Sequence, residues 1–311
     1  MIHSQCENHS QNRKLAIVNF LFGVFVDDQQ LRLELIAGLL VAVTCAITGT
    51  FVVLRGLSFI GDALAHGVLP GIAAAMLLGV SGMFGAVVSA VIMMSGVGIV
   101  NRRLRLSGDT AIGLLFVGML SLGVLITSRS VSLVGDLEEI LFGDIAHVEW
   151  STISVQLIAL ICIAFIFTVC RRPFLLLSVD EGLVNTSGFS AKLFHNVMMA
   201  MVATTVIVSF QTVGTLLVMG MLIAPAATGA LFARRISSMI MIAALSGSIS
   251  VYIGLLASYH YDLAAGASIV LTAVILFALS AIFAETRKSI SRRHDDDHDH
   301  EHPHAHGHVH I

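Results

Sequence analysis

Charge is what this chain has least of: Asp, Glu, Lys and Arg make up 12% of its 311 residues, against roughly 25% in soluble proteins. With 56% hydrophobic residues and a mean hydropathy of +0.91, that shortage excludes a soluble globular domain and implies a polytopic membrane protein. Lysine is scarcer still, confined to Lys14, Lys192 and Lys288, and no GxxxxGK[ST] run exists. This polypeptide therefore lacks the phosphate loop with which to hydrolyse ATP itself. The formal net charge of -3 owes much to an acidic tail, and no broad basic face exists to hold nucleic acid. Cys6, Cys45, Cys162 and Cys170 show no CxxC spacing and say little about function; three of them lie in or beside apolar stretches, where a free thiol behaves as a small hydrophobe. No cleavable signal pattern opens the chain: Arg13 and Lys14 precede only LAIVNFLFGVFV. That run is short of the ~20 residues needed to cross a bilayer, so residues 1–30 read as an interfacial segment.

What is present is a succession of apolar stretches near 31–54, 58–78, 83–101, 110–128, 150–170, 195–212, 213–233, 238–258 and 263–284. Nine spans are expected, or eight if the boundary inside 195–233 is no boundary. Arg55, then Arg102, Arg103 and Arg105, then Arg171 and Arg172, then Arg234 and Arg235, then Arg287, Lys288, Arg292 and Arg293 follow the odd-numbered spans. Positive charge collects on the cytoplasmic side, so those ends and the C-terminus are expected inside and the N-terminus outside; Arg13 and Lys14 fit this pattern less well. The opposite connections, around 131–150 and 258–266, are acidic or neutral, and Trp150, Tyr252, Tyr259 and Tyr261 fall near proposed interfaces. Small residues four apart (Gly67 and Gly71, Ala243 and Gly247, Ser250 and Gly254) allow close helix approach, within one subunit or between two.

Inside the second stretch, LSFIGDALAHGVLPGIAAAMLLG, stand Asp62 and His66. Positions four apart share a helix face, with Cβ atoms about 5–6 Å apart. A carboxylate and a neutral imidazole together suit a divalent first-row metal, and ionisable groups at membrane depth persist where they face a protein interior or a watery path. The alternative is that Asp62 hydrogen-bonds a neighbouring group and His66 packs as a core histidine. Weaker candidates are His260 and Asp262 in an outer connection, and the cluster Asp136, Glu138, Glu139, Asp144, His147 and Glu149. Either can meet cations or be an ordinary solvated surface. His195 reads as interfacial, Thr204, Thr205 and Gln211 as interhelical hydrogen-bond partners, and Met93, Met94, Met198, Met199, Met219 and Met221 as packing and lipid contact.

The tail HDDDHDHEHPHAHGHVHI holds eight of the 14 histidines: His294, His298, His300, His302, His304, His306, His308 and His310. Alternation with acids makes a multidentate ligand set for cations such as zinc, in a segment too polar to fold alone. It differs from the uniform histidine run of an expression tag.

The runs LRGLSFIGDALAHGVLPGIAAAMLLG (54–79), DLEEILFGDI (136–145), VGTLLVMGMLIAPAATGALFARR (213–235) and SYHYDLAAGASIVLTAVILF (258–277) resemble successive signatures of the metal permeases of ABC transporters, most like a zinc permease. The resemblance runs from about residue 30 to 284. It implies an all-α polytopic bundle of eight or nine transmembrane helices, as in a type II-like ABC importer permease. The expected domains are 1–30, a permease body over 31–284 and a cytoplasmic tail over 285–311. It further implies a bacterial inner-membrane homodimer in contact with lipid, with separate cytoplasmic ABC ATPase subunits and a periplasmic or lipoprotein metal-binding protein. No prosthetic group is implied, only transported zinc, or manganese or iron. Asp62 and His66 match the family's acidic and histidine positions in the path. The segment after APAAT, through Pro225, Ala226, Ala227 and Thr228 to Arg234 and Arg235, resembles the coupling helix that meets the ATPase. A gradient-driven metal exporter is the competing class, although it usually needs more than one clear intramembrane acid. A membrane-embedded metal sensor or scaffold is a third.

Overall fold

A computed structural model describes residues 28–57, 59–104, 108–128 and 148–299. The N-terminal segment, most of the acidic cluster and the tail from His300 onward lie outside the described residues. Every regular element described is a helix: α1 (Gln29–Leu54), α2 (Phe59–Gly67), α3 (Leu69–Leu77), α4 (Gly82–Leu104), α5 (Gly108–Thr127), α6 (Trp150–Val179), α7 (Glu181–Thr186), α8 (Ala191–Phe232), α9 (Ile236–Tyr261) and α10 (Ala265–Asp299).

Among the described residues eight stretches are long and apolar enough to cross a membrane, with α2 and α3 counted together, and Leu217–Phe232 is a shorter apolar helix. Most of these helices are apolar on all sides, as expected where protein interior and lipid are equally nonpolar. α1 lies at the centre of the bundle, with Val41, Ala42, Cys45, Phe51 and Val52 buried. Large apolar residues such as Phe165, Leu271 and Ile282 remain exposed on α6 and α10.

Two contacts mark one end of the bundle as basic. The Arg55 guanidinium at the end of α1 donates to His195 Nδ1 at 2.9 Å, and Arg171 donates to Ser237 Oγ at 2.9 Å. The end of α1, the start of α8 and the start of α9 therefore share that level. The four-residue spacings of small residues serve packing within this chain. The backbones of Gly71 and Gly85 meet between α3 and α4, Gly247 of α9 lies against Ala42, Met221 and Pro225, and Gly254 lies on the Ile269 backbone of α10.

α8 is two helices, because Gly214 has φ 72° and ψ 169°, a conformation essentially reserved for glycine. The contacts show that the chain doubles back there. Leu222 lies 27 positions beyond His195, roughly 40 Å for a straight helix. Yet Leu222 packs on the backbone of Gly49, only six residues, or roughly 9 Å, from Arg55. Ala191–Phe210 thus leads away from the basic end and Leu217–Phe232 returns to it. The soft boundary inside 195–233 is a reversal, and the arginine alternation follows from it.

Candidate metal path

The helix that carries Asp62 and His66 ends at once beyond them. Pro70 stands in the first turn of α3 and has no N–H for the carbonyl of His66, so the i→i−4 ladder breaks at this point. The next carbonyl, that of Gly67, accepts a hydrogen bond from buried Ser89 Oγ of α4 at 2.7 Å. Side-chain rescue of this kind lets a discontinuous helix persist in a membrane. Gly61 holds α2 close to its neighbour, since an added Cβ would stand 2.6 Å from Leu222 Cδ2. Leu222 thereby touches both Gly49 of α1 and Gly61 of α2, and puts the pair about six residues above the basic end.

The spacing prediction holds: His66 Nε2 lies 3.4 Å from Asp62 Oδ1, with side chains 22% and 27% exposed. The contact is longer than a good hydrogen bond, and both groups remain reachable. The His66 ring stands edge-on to Phe116 of α5, with centroids 5.5 Å apart, and its Nδ1 is buried without a partner. A metal-bound histidine nearly always donates its second ring N–H to an outer acceptor, which strengthens the bond to the ion. Among the described residues no such acceptor faces Nδ1. Among the described residues no group of three or more His, Cys, Asp or Glu is placed to hold an ion. Two protein ligands leave the remaining positions to water or a second chain, as suits a site that must release what it binds.

The other predicted residues are dispersed. His260 and Asp262 end α9, which starts at the basic end beside Arg171, so they lie at the opposite end from the pair. His260 Nδ1 contacts the Leu256 carbonyl at 2.9 Å, while Asp262 is exposed with φ 50° at the helix end. Glu149 precedes α6 and accepts from Ser151 Oγ at 3.1 Å; Asp136, Glu138, Glu139, Asp144 and His147 lie outside the described residues. α10 continues to Asp299, which places His294 and His298 one turn apart on its backbone. The other six tail histidines lie outside the described residues.

Two expectations change, and one short helix is new. Thr204 and Thr205 donate to the carbonyls of Ala200 and Met201, at 2.8 and 2.9 Å, in their own helix rather than across helices. The segment after APAAT has only residues 233–235 between α8 and α9, too few for a separate coupling helix. A short helix occurs instead at α7, which sequence reasoning missed. It is capped by Asp180, whose Oδ1 accepts from Gly182 N at 2.9 Å. Val184 buries against Leu177 and Ala191, and Leu183 is left 44% exposed. The DEG and SG pairs around it were the available signal. Phe116 carried none, being one of 17 phenylalanines.

The model of the ABC 3 transport family matches residues 27–284. The manganese transport system membrane protein MntC of Halalkalibacterium halodurans is 35% identical over 282 residues, covering 89% of this chain and 95% of that protein. A probable iron transport system membrane protein of Haemophilus influenzae is 33% identical, covering 81% and 93%. Among solved structures, PsaBC from Streptococcus pneumoniae in complex with Fab aligns with TM-score 0.76 at 32% identity, covering 85% of this chain and 95% of that one. An inward-facing conformation of a putative metal-chelate type ABC transporter, at 15% identity and TM-score 0.65, shares the fold.

Proposed function

From the premise that this chain belongs to the ABC 3 transport family, we propose that it is the membrane permease of an ATP-driven importer of a divalent transition metal. The observation that carries the reading is the Asp62–His66 pair, mostly buried but still reachable at the break of a membrane helix. Manganese or iron is the cargo favoured by the relatives' names. Zinc, expected from the histidine count, is the second reading, favoured by the tail alone.

The basic end faces the cytoplasm, by the preference of arginine for that side. A homodimer brings two Asp62–His66 pairs to one path. ATPase subunits dock at the basic end, where α7 presents Leu183 and its flanking polar residues as the contact. An extracytoplasmic binding protein delivers the ion at the opposite end, near His260, Asp262 and the acidic 136–149 segment. The ion takes the Nε2 lone pair in the tautomer whose single ring proton sits on Nδ1. With no acceptor for that proton among the described residues, the complex is short-lived and the ion moves on. ATP hydrolysis on the partner subunits resets the gates. The histidine tail takes up the arriving metal at the cytoplasmic exit.

Uptake of radioactive manganese, iron and zinc by Asp62→Asn and His66→Ala variants, at matched membrane levels, tests this. Loss of uptake in both is expected, and competition among the three ions ranks the cargo. Full transport by both variants would refute a metal role for the pair.

A further inference from the structure

A cavity of about 830 Å³ lies on the other side of α2 from Asp62 and His66. Ile60 and Leu64 of α2, with Met93 and Met199, form its floor. Ile60 and Leu64 sit two residues from Asp62 and His66 respectively, which at 100° per residue turns them to the opposite helix face. One wall is an exposed stripe of α8 at four-residue spacing, Lys192, Asn196, Ala200 and Thr204. The facing wall is α4, through the exposed Val87, Val91 and Ile99.

The groove is polar at one end only. Lys192, Asn185, Asn196 and His195 gather at the basic end. There Arg55 donates to His195 Nδ1, which fixes the His195 proton on Nε2 in the neutral ring. Farther along, Thr204 has its hydroxyl bonded to the Ala200 carbonyl, so apart from Ser95 of α4 what remains facing the groove is apolar. From Lys192 to Thr204 the stripe spans roughly 18 Å, close to one leaflet's share of a ~30 Å hydrocarbon core.

We propose that this groove seats an anionic phospholipid of the leaflet at the basic end. Its phosphate meets Lys192 and the asparagines Asn185 and Asn196, and one acyl chain lies between α4 and the first half of α8. Charge complementarity and the one-leaflet length select this occupant, and basic pockets between membrane helices are a recurrent way of holding anionic headgroups. A second copy of the chain fits less well. An isologous contact centred here would bring two Lys192 side chains into one cleft. It would also turn the metal pairs away from each other, an argument that rests on the permease reading above; the lipid chemistry does not.

The test uses the full-length protein, metal-free, in mixed phosphatidylcholine and phosphatidylglycerol bilayers. Native mass spectrometry then counts the lipids retained. Phosphatidylglycerol should be kept in preference to phosphatidylcholine. Lys192→Gln should lower that preference about five-fold, the factor expected for one lysine beside an anionic surface. Ala200→Trp, which fills the groove and keeps the lysine, should also release the lipid, and an unchanged melting temperature shows that it folds. Should Ala200→Trp misfold, Lys192→Gln decides alone. Equal retention of the two lipids, or an undiminished preference in Lys192→Gln, would overturn the proposal. So would efficient disulfide formation between two Thr204→Cys copies, which would put a second chain in the groove. No transport step enters the measurement, so its failure is separable from failure of the metal reading.

Discussion

Adding one carbon at Gly49 should destabilise this protein, because what stands in its way is backbone. A Cβ built there falls 3.0 Å from the carbonyl carbon of Leu222 and closer still to its oxygen, whereas nonbonded atoms settle at about 3.5–4.0 Å. The obstacle is backbone, which cannot rotate away, so α1 and the returning half of α8 must separate. Overpacking of this kind costs about 1–3 kcal/mol, or a loss of roughly 2–6 °C in melting temperature for a chain of about this size. Gly61→Ala is the matched control. Its Cβ meets only Leu222 Cδ2, at 2.6 Å, and a leucine tip can turn. Because Leu222 also touches α2, Gly49→Ala should depress metal uptake more than stability alone explains. Thermal unfolding of both variants in detergent, with uptake at matched levels, provides the comparison. Equal melting temperatures for Gly49→Ala and wild type would refute the packing argument, and a larger loss in Gly61→Ala would reverse it.

Gly214→Ala should misplace the reversal within α8, since φ 72° and ψ 169° cost any other residue on the order of 1–3 kcal/mol; a fall in folded yield on size exclusion checks it, and normal yield would mean the turn tolerates a side chain. Deleting residues 294–311 should leave initial metal uptake unchanged and relieve the slowing of uptake as internal metal accumulates. Measured time courses that superimpose on wild type would remove any role for the tail in feedback.

Much of this architecture was legible because membrane spans obey few rules. Hydropathy located the spans, and arginine spacing implied the odd number of crossings that the Gly214 reversal provides. The i, i+4 rule placed Asp62 beside His66, since both lie within one short helix. Contacts between helices distant in sequence were not legible. Nothing local links Arg55 to His195 or Phe116 to His66. Stretch 58–78 reads as one span by hydropathy, although Pro70 already signalled the break behind His66. The hydroxyls of Thr204 and Thr205 follow a local alternative to crossing the interface, the carbonyl four residues back, which satisfies them without any partner helix. α7 escaped notice because six residues carry too little periodicity to stand out between two long spans.

α2 is a thin wall, with the Asp62–His66 pair on one face and the groove floor of Ile60 and Leu64 on the other. On the proposed reading of the pair as an ion site, anything in the groove that prefers one position of this short helix shifts the pair's affinity for the ion, and the ion shifts the groove's affinity by the same factor. Bilayer composition then becomes a thermodynamic variable of ion binding: membranes differing only in headgroup charge would set different half-saturation concentrations for one unaltered polypeptide.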